Sequence, residues 1–200
     1  MCIASYTSGG GAIAQLAERL LCKQEVTGSI PVGSTLLPFE GSYLWRLRQK
    51  VGSDLVLIPG GMVFLVRDDG AVLFTRRLDN GMWCLPAGGA EEGSSFAATA
   101  ITELREETGV DADPTDLVPF ACLSEAELHT ITYPNGDVSH CFAMLFLVRR
   151  WSGDPRPDGE ETIEMLWADP AAPPSPLEAP AARALELFRA YSREGVFQVA

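Results

Sequence analysis

No apolar run in this chain approaches the roughly 18 residues that a membrane-crossing helix needs, so no membrane partner is expected. Positive charge is scarce as well. Fifteen Lys+Arg against 27 Asp+Glu give a net charge of −12, and a broad nucleic-acid surface requires a basic patch. Extended nucleic acid is therefore disfavoured as a partner. Paired cysteines are also missing. The five present, Cys2, Cys22, Cys84, Cys122 and Cys141, are odd in number, and none forms a close pair at metal-ligand spacing. Cys84 and Cys141 fall in strand-like runs and are expected as small buried hydrophobes. A reducing cytoplasm is the expected compartment. What the chain does have is 46% hydrophobic and 21% charged residues over a length of 200, which suits one soluble globular domain with a real core.

The richest stretch runs from Gly88 to Val110, GGAEEGSSFAATAITELREETGV. Phe96, Ala97, Ala100, Ile101 and Leu104 recur at helical spacing and define a face to bury. Glu103, Glu106 and Glu107 fall on a different stripe, since steps of three and four residues share one helix side. Like charges at that spacing repel by a few tenths of a kcal/mol per pair on an exposed helix. Hard divalent cations bind oxygen ligands, so clustered carboxylates point to a magnesium site. The competing reading is a solvated acidic face. The frame separates the two. Leu85-Pro86-Ala87-Gly88-Gly89 suits a tight loop whose backbone comes close to something. Ser95 is the expected N-cap, and Gly109 the left-handed closing residue.

This frame resembles the signature of the Nudix hydrolase family: Gly, five residues, Glu, seven residues, then Arg-Glu-aliphatic-any-Glu-Glu-any-Gly-aliphatic. Here it reads Gly88, five residues, Ser94, seven residues, then Thr102-Glu103-Leu104-Arg105-Glu106-Glu107-Thr108-Gly109-Val110. Ser94 replaces the family Glu and Thr102 the family Arg; the other positions match. The coarse resemblance covers about Ser42 to Ala171. Tyr43 to Arg48 looks like the family lead-in. Gly61 to Arg67 and Ala71 to Arg77 read as strands of a hairpin around Asp68-Asp69-Gly70. Trp83-Cys84-Leu85-Pro86 enters the box. His129 to Tyr133 and Val138 to Val148 are further strands, and Glu160 to Trp167 an acidic run leading into a late strand. Pro180 to Phe197 closes the chain as an amphipathic helix, with Ala181, Ala184, Leu185, Leu187, Phe188 and Tyr191 as its apolar stripe. The fold the resemblance implies is α/β: a Nudix-type α/β/α sandwich with a central mixed β-sheet, the box helix on one side and the C-terminal helix on the other.

The reaction it implies is metal-assisted hydrolysis of a nucleoside diphosphate linked to another moiety, with Mg²⁺ or Mn²⁺ as cofactor. Divalent ions neutralise the diphosphate and acidify the attacking water. An acidic chain has particular need of that neutralisation. Glu106 and Glu107 are the preferred metal ligands, the Gly88 carbonyl a third. Glu103 matches the position that supports a ligand or takes a proton from water. Glu103, Glu106 and Glu107 thus form the expected catalytic and metal set. From the late loop, Glu161 is a further candidate ligand and Glu160 a candidate substrate contact, with Asp158 close by; solvated loop charge is the alternative. Arg76 or Arg77 could clamp a phosphate, because a guanidinium pairs with two phosphate oxygens. Neighbours in a strand point to opposite faces, so one of the two is expected to serve. Trp83, His129 and His140 are expected in the packed or hydrogen-bonded interior. A homodimer is compatible with the sequence.

Residues 9–35 carry no signal-peptide or transit-peptide pattern and resemble instead the conceptual translation of a transfer-RNA gene. Codons for Ile13 to Glu18, Leu21 to Gln24 and Gly28 to Pro31 can be chosen to spell a D arm, an anticodon arm and a T arm, in that order. The expectation is a non-native, disordered extension over 1–37, from a start called too early, and a single domain over 38–200. An amphipathic interaction helix at Ala12 to Leu21 is the alternative. For function, the competitor to hydrolysis is a weak or inactive Nudix-fold nucleotide-binding module, suggested by Ser94 and Thr102. A structural protein with a merely solvated acidic helix is the third reading.

Overall fold

Strand β1 (Val56–Leu65) organises the molecule because both of its faces are apolar. Alternate residues of a strand point to opposite sides. Val63 and Leu65 therefore face one layer, Met62 and Phe64 the other, and all four are buried. The computed structural model describes residues 40–133 and 135–200; the expectations for residues 1–37 lie outside the described residues.

In chain order the remaining elements are α1 (Tyr43–Val51), β2 (Val72–Arg77), β3 (Trp83–Cys84), β4 (Ala87–Gly89), α2 (Phe96–Thr108), β5 (Val118–Leu123), α3 (Ala126–His129), β6 (Thr130–Thr132), β7 (Val138–Val148), β8 (Thr162–Ala168), α4 (Ala179–Glu194) and β9 (Gln198–Val199). The larger sheet runs β4-β1-β7-β5-β9, with β6 added on β7. It is mixed: β1 and β7 are parallel, β5 and β7 antiparallel. The smaller sheet runs β3-β2-β8. Helix α2 packs Ala100, Ile101 and Leu104 on the Val63 and Leu65 face. Helix α4 packs Ala184, Leu185 and Phe188 on the Met62 and Phe64 face, where Phe64, Phe120 and Phe188 join ring to ring. This is the expected α/β/α sandwich with its mixed central sheet. Among the described residues no helix is long and apolar enough to cross a membrane.

Two expectations are corrected. The turn around Asp68-Asp69-Gly70 forms, with Arg67 N–H donating to Ala71 O at 3.0 Å. Its flanking strands nevertheless share only the bridge Val66↔Val72 and then part into different sheets. One edge of β1 is taken along its length by β7, and the other by β4 at residues 60–62. The C-terminal helix stops at Glu194 rather than Phe197, because Gly195 adopts φ 64° and closes it, freeing Gln198 and Val199 to pair with β5.

Candidate active site

The site grows from a close approach of helix to strand. A Cβ at Gly61 would lie 3.0 Å from both the backbone N and the Cβ of Ala100, so α2 rests almost directly on the β1 backbone. Gly61 is paired with Gly88 of β4. One turn along α2 from Ala100, Glu103 therefore reaches Gly88. A Cβ there would fall 2.0 Å from Glu103 Oε1 and 2.1 Å from its Cδ. Only a glycine leaves room for that carboxylate. One turn further, Glu107 accepts a hydrogen bond from the Ala87 N–H at 3.3 Å. The local signals are as expected: Ser95 Oγ accepts from Ala98 N–H at 3.1 Å, and Gly109 closes the helix in the left-handed conformation. Phe96 departs from expectation. It is 40% exposed, because it begins the helix where the exposed loop over residues 92–95 ends.

Burial argues against a merely solvated acidic stripe. Glu103 is 1% exposed and Glu107 6%, which no solvated face would allow. Glu106 is half-buried. Burial first, then the neighbouring Glu103 carboxylate, pushes the Glu107 carboxyl well above its ordinary value. The Ala87 hydrogen bond and Arg77 oppose that shift, while Glu161 adds to it. From the late loop, Glu161 is pushed up to about 7 by burial, then by Asp158, with smaller contributions from Glu106 and Asp79 and opposition from Arg77. Asp158 builds this loop: its Oδ1 accepts the N–H groups of Glu160, Glu161 and Thr162 at 2.9, 3.0 and 2.9 Å. The Leu78 N–H donates to Glu161 O at 2.8 Å and ties the loop to the end of β2. Glu160 stays on the exposed side.

The two arginines take different partners on either side of a register shift in β2. Arg77 is buried and acts on Glu107 and Glu161. It is held by Asp79 and by Glu178 Oε1 at 3.2 Å, and this pairing raises its pKa against the cost of burial. Arg76 instead pairs with Glu164 at 3.0 Å and lies near the Trp83 ring. Sequence reasoning missed Asp79 and Glu178 as partners of Arg77. Glu178 stands immediately before α4, far along the chain, and no local pattern marks it. Trp83 and His129 are buried, and His140 is half-buried and hydrogen-bonded, its Nε2 2.8 Å from Ser124 O. Cys84 and Cys141 are buried too, and burial raises both thiols.

Among the described residues no three His, Cys, Asp or Glu side chains converge so as to hold a metal ion by themselves. Mg²⁺ does not need three, since it retains waters and is held by one or two carboxylates together with substrate phosphates. The donor set fits such an ion: oxygen ligands only, mutually repelling, partly desolvated, and backed by a glycine that yields space to Glu103.

A pH dependence follows. Glu161 carries a proton in the fold up to about pH 7, but in the unfolded chain only up to about 4.5. Between those values the folded state binds more protons, so its stability falls as pH rises. Glu107 adds in the same direction. In a chelator, the melting temperature should decline from pH 5 to pH 8, and Glu161→Gln should flatten that decline. A profile rising over this window would contradict the burial of these carboxylates.

The fold class has solved counterparts. The MutT NUDIX hydrolase from Burkholderia pseudomallei superposes with a TM-score of 0.53 at 24% identity, covering 66% of this chain and 98% of that one. The NUDIX domain family model matches residues 57–188, and the chain belongs to the Nudix hydrolase family. Among curated relatives, the RNA pyrophosphohydrolase of Erythrobacter litoralis is 39% identical over 59 residues, 28% of this chain and 36% of that protein. The putative 8-oxo-dGTP diphosphatase of Bacillus subtilis is 29% identical over 116 residues, 58% of this chain and 68% of that protein. The chain thus spans little more than a third of the length of the RNA pyrophosphohydrolases it matches.

Proposed function

We propose that the chain hydrolyses a phosphoric anhydride bond in a small nucleoside diphosphate derivative, with Mg²⁺ or Mn²⁺ and in the cytoplasm. The observation that carries this reading is the burial of Glu103 and Glu107 against a glycine and a backbone N–H of β4. A fold that keeps two repelling carboxylates out of water loses stability by doing so, and a bound cation supplies the reason to keep them. Glu106, Glu107 and the Gly88 carbonyl would hold the metal, which supplies neutralisation of the diphosphate charge and a more acidic water. Glu103 positions the set from beneath the β4 loop. Glu161, its pKa raised by burial and by Asp158, is a further candidate ligand from the late loop. As the water oxygen bonds to phosphorus, the anhydride P–O bond breaks and the water's proton would pass to a carboxylate of the box set, with Glu103 the candidate. Arg77 offers the buried positive charge beside these groups, while Arg76 and Glu160, both reachable from solvent, are the proposed substrate contacts. The names of the relatives, an RNA pyrophosphohydrolase and a putative 8-oxo-dGTP diphosphatase, agree with anhydride cleavage while differing in substrate. The test is product release from a panel of nucleoside triphosphates, nucleotide sugars, ADP-ribose and dinucleoside polyphosphates, with each metal in turn. Absence of release from all of them would count against the reading.

The second reading, a nucleotide-binding module with little turnover, draws on Ser94 and Thr102. Ser94 is exposed and Thr102 half-buried, and neither brings charge to the carboxylates. Joint loss of a family Glu and a family Arg keeps the local charge balanced, so the site is weakened rather than unbalanced. Ser94→Glu with Thr102→Arg should lower the metal concentration for half-maximal rate severalfold. Thr102→Arg alone should do less, and neighbouring charges should make the effects non-additive. A restored pair as inactive as its parent on every substrate, with both proteins binding nucleotide by calorimetry, would favour the module.

A further inference from the structure

The arginines of this acidic chain are not evenly spread. Parallel pairing brings Leu65 of β1 beside Val148 of β7, so both strands run out at the same end of the sheet. Beyond them come Arg67 on one side and Arg149, Arg150 and Trp151 on the other. Three of the chain's 15 Lys+Arg thereby line a single open pocket of about 630 Å³, together with Asp68, Asp69 and Trp151. The volume is that of an ordinary small-ligand site. The pocket is separate from the carboxylates. Arg67 lies six residues beyond Gly61, the partner of Gly88, or roughly 20 Å along the strand.

The pocket wall is aromatic as well as cationic. Trp151 stacks on Trp167 with ring centroids 5.7 Å apart at 24°, and the Arg67 guanidinium sits 4.8 Å from the Trp167 ring centroid. The charges are unevenly engaged. Arg67 pairs with Asp69 at 2.7 Å, and Arg150 donates its Nε–H to Asp116 at 2.9 Å while its side chain stays 80% exposed. Arg149 is exposed and makes no ion pair among the described residues. A guanidinium fork matches phosphate oxygens, an indole face matches a nucleobase, and a carboxylate accepts from ribose hydroxyls.

We infer that this pocket binds a nucleoside monophosphate at a second, non-catalytic site, with the base against Trp151, the phosphate on Arg149 and Arg150, and the ribose toward Asp68. The two rim carboxylates oppose a long polyanion and leave room for one phosphate. The inference does not depend on hydrolysis at the carboxylate site.

The experiment is a titration of the full chain with AMP in EDTA, where metal-dependent turnover is silent, read by quenching of tryptophan fluorescence. Saturable quenching is expected, unchanged in Glu107→Gln and weakened about tenfold or more in Arg149→Ala. Inorganic phosphate and adenosine should each bind more weakly than AMP. Because Arg149 is exposed, its replacement should leave folding and metal-dependent hydrolysis intact. Trp151→Leu should remove the quenching, with circular dichroism confirming the fold. Equal AMP affinity in Arg149→Ala and wild type would overturn the inference, as would loss of binding in Glu107→Gln. AMP binding no tighter than phosphate would leave no role for the indole and overturn it too. Tighter binding of an RNA oligonucleotide through Arg149 would replace the mononucleotide assignment.

Discussion

Glu107→Gln is expected to lose activity and gain stability in the same protein. The substitution keeps shape and removes charge. If Glu107 holds a divalent ion, metal-dependent hydrolysis should fall by about a hundredfold or more, since even outer-shell changes around metals cost 10–100-fold. In a chelator the effect on folding should have the opposite sign. Burial and Glu103 raise the Glu107 pKa, so its ionised form disfavours the fold above its unfolded pKa. Glutamine removes that penalty and can keep an amide oxygen toward the Ala87 N–H. Melting at pH 8 in EDTA should rise by a few degrees; for a domain of this size each kcal/mol is worth about 2–4 °C. Glu92→Gln is the control. Glu92 is exposed and pairs with Arg46 at 2.8 Å, away from the buried set, so its loss should leave the rate within about twofold, as expected of surface pairs. Unchanged activity in Glu107→Gln, matching Glu92→Gln, would return the helix to the status of an acidic scaffold.

Gly88→Ala should be nearly as damaging to turnover through steric rather than electrostatic means. The new methyl would fall 2.0 Å from Glu103 Oε1. The carboxylate is the end of a flexible side chain, so it can turn aside, but it is 1% exposed and has little space to enter. Overpacking of this kind costs about 1–3 kcal/mol. The displaced Glu103 no longer supports its neighbours, and misplacement by about 1 Å can cost about 100-fold in rate. Activity and melting unchanged in Gly88→Ala would mean that Glu103 does not need its place against β4.

What the sequence disclosed followed the range of each signal. The box helix was legible to its caps, because Ser95, the apolar steps and Gly109 act within one or two turns. The apolar stripe of α4 was legible for the same reason, with Ala181, Ala184, Leu185, Leu187 and Phe188 all buried. The separation of β1 from β2 was not, since the turn between them is local but the competition for β1 edges comes from β4 and β7. The acidic residues show the same limit. Their spacing grouped Glu103, Glu106 and Glu107, yet spacing alone could not say that Glu103 and Glu107 face β4 out of water. That depends on Gly61 admitting Ala100 at contact distance. Long-range ion pairs were the least legible. Strand alternation predicted that Arg76 and Arg77 would part, but only the folded chain brings Glu178 to Arg77 and Glu164 to Arg76. Asp158 was noticed as a neighbour of Glu160 and Glu161, whereas its grip on three successive N–H groups is a property of the loop conformation.

The most direct test of the central claim is release of nucleoside monophosphate or phosphate from the anhydride panel by wild-type protein, with Mg²⁺, with Mn²⁺ and with EDTA. Turnover of at least one nucleoside diphosphate derivative is predicted with metal, abolished by EDTA and by Glu107→Gln. No turnover of any of these substrates with either metal, by protein that still binds nucleotide, would contradict the claim and leave the buried carboxylates in a binding module.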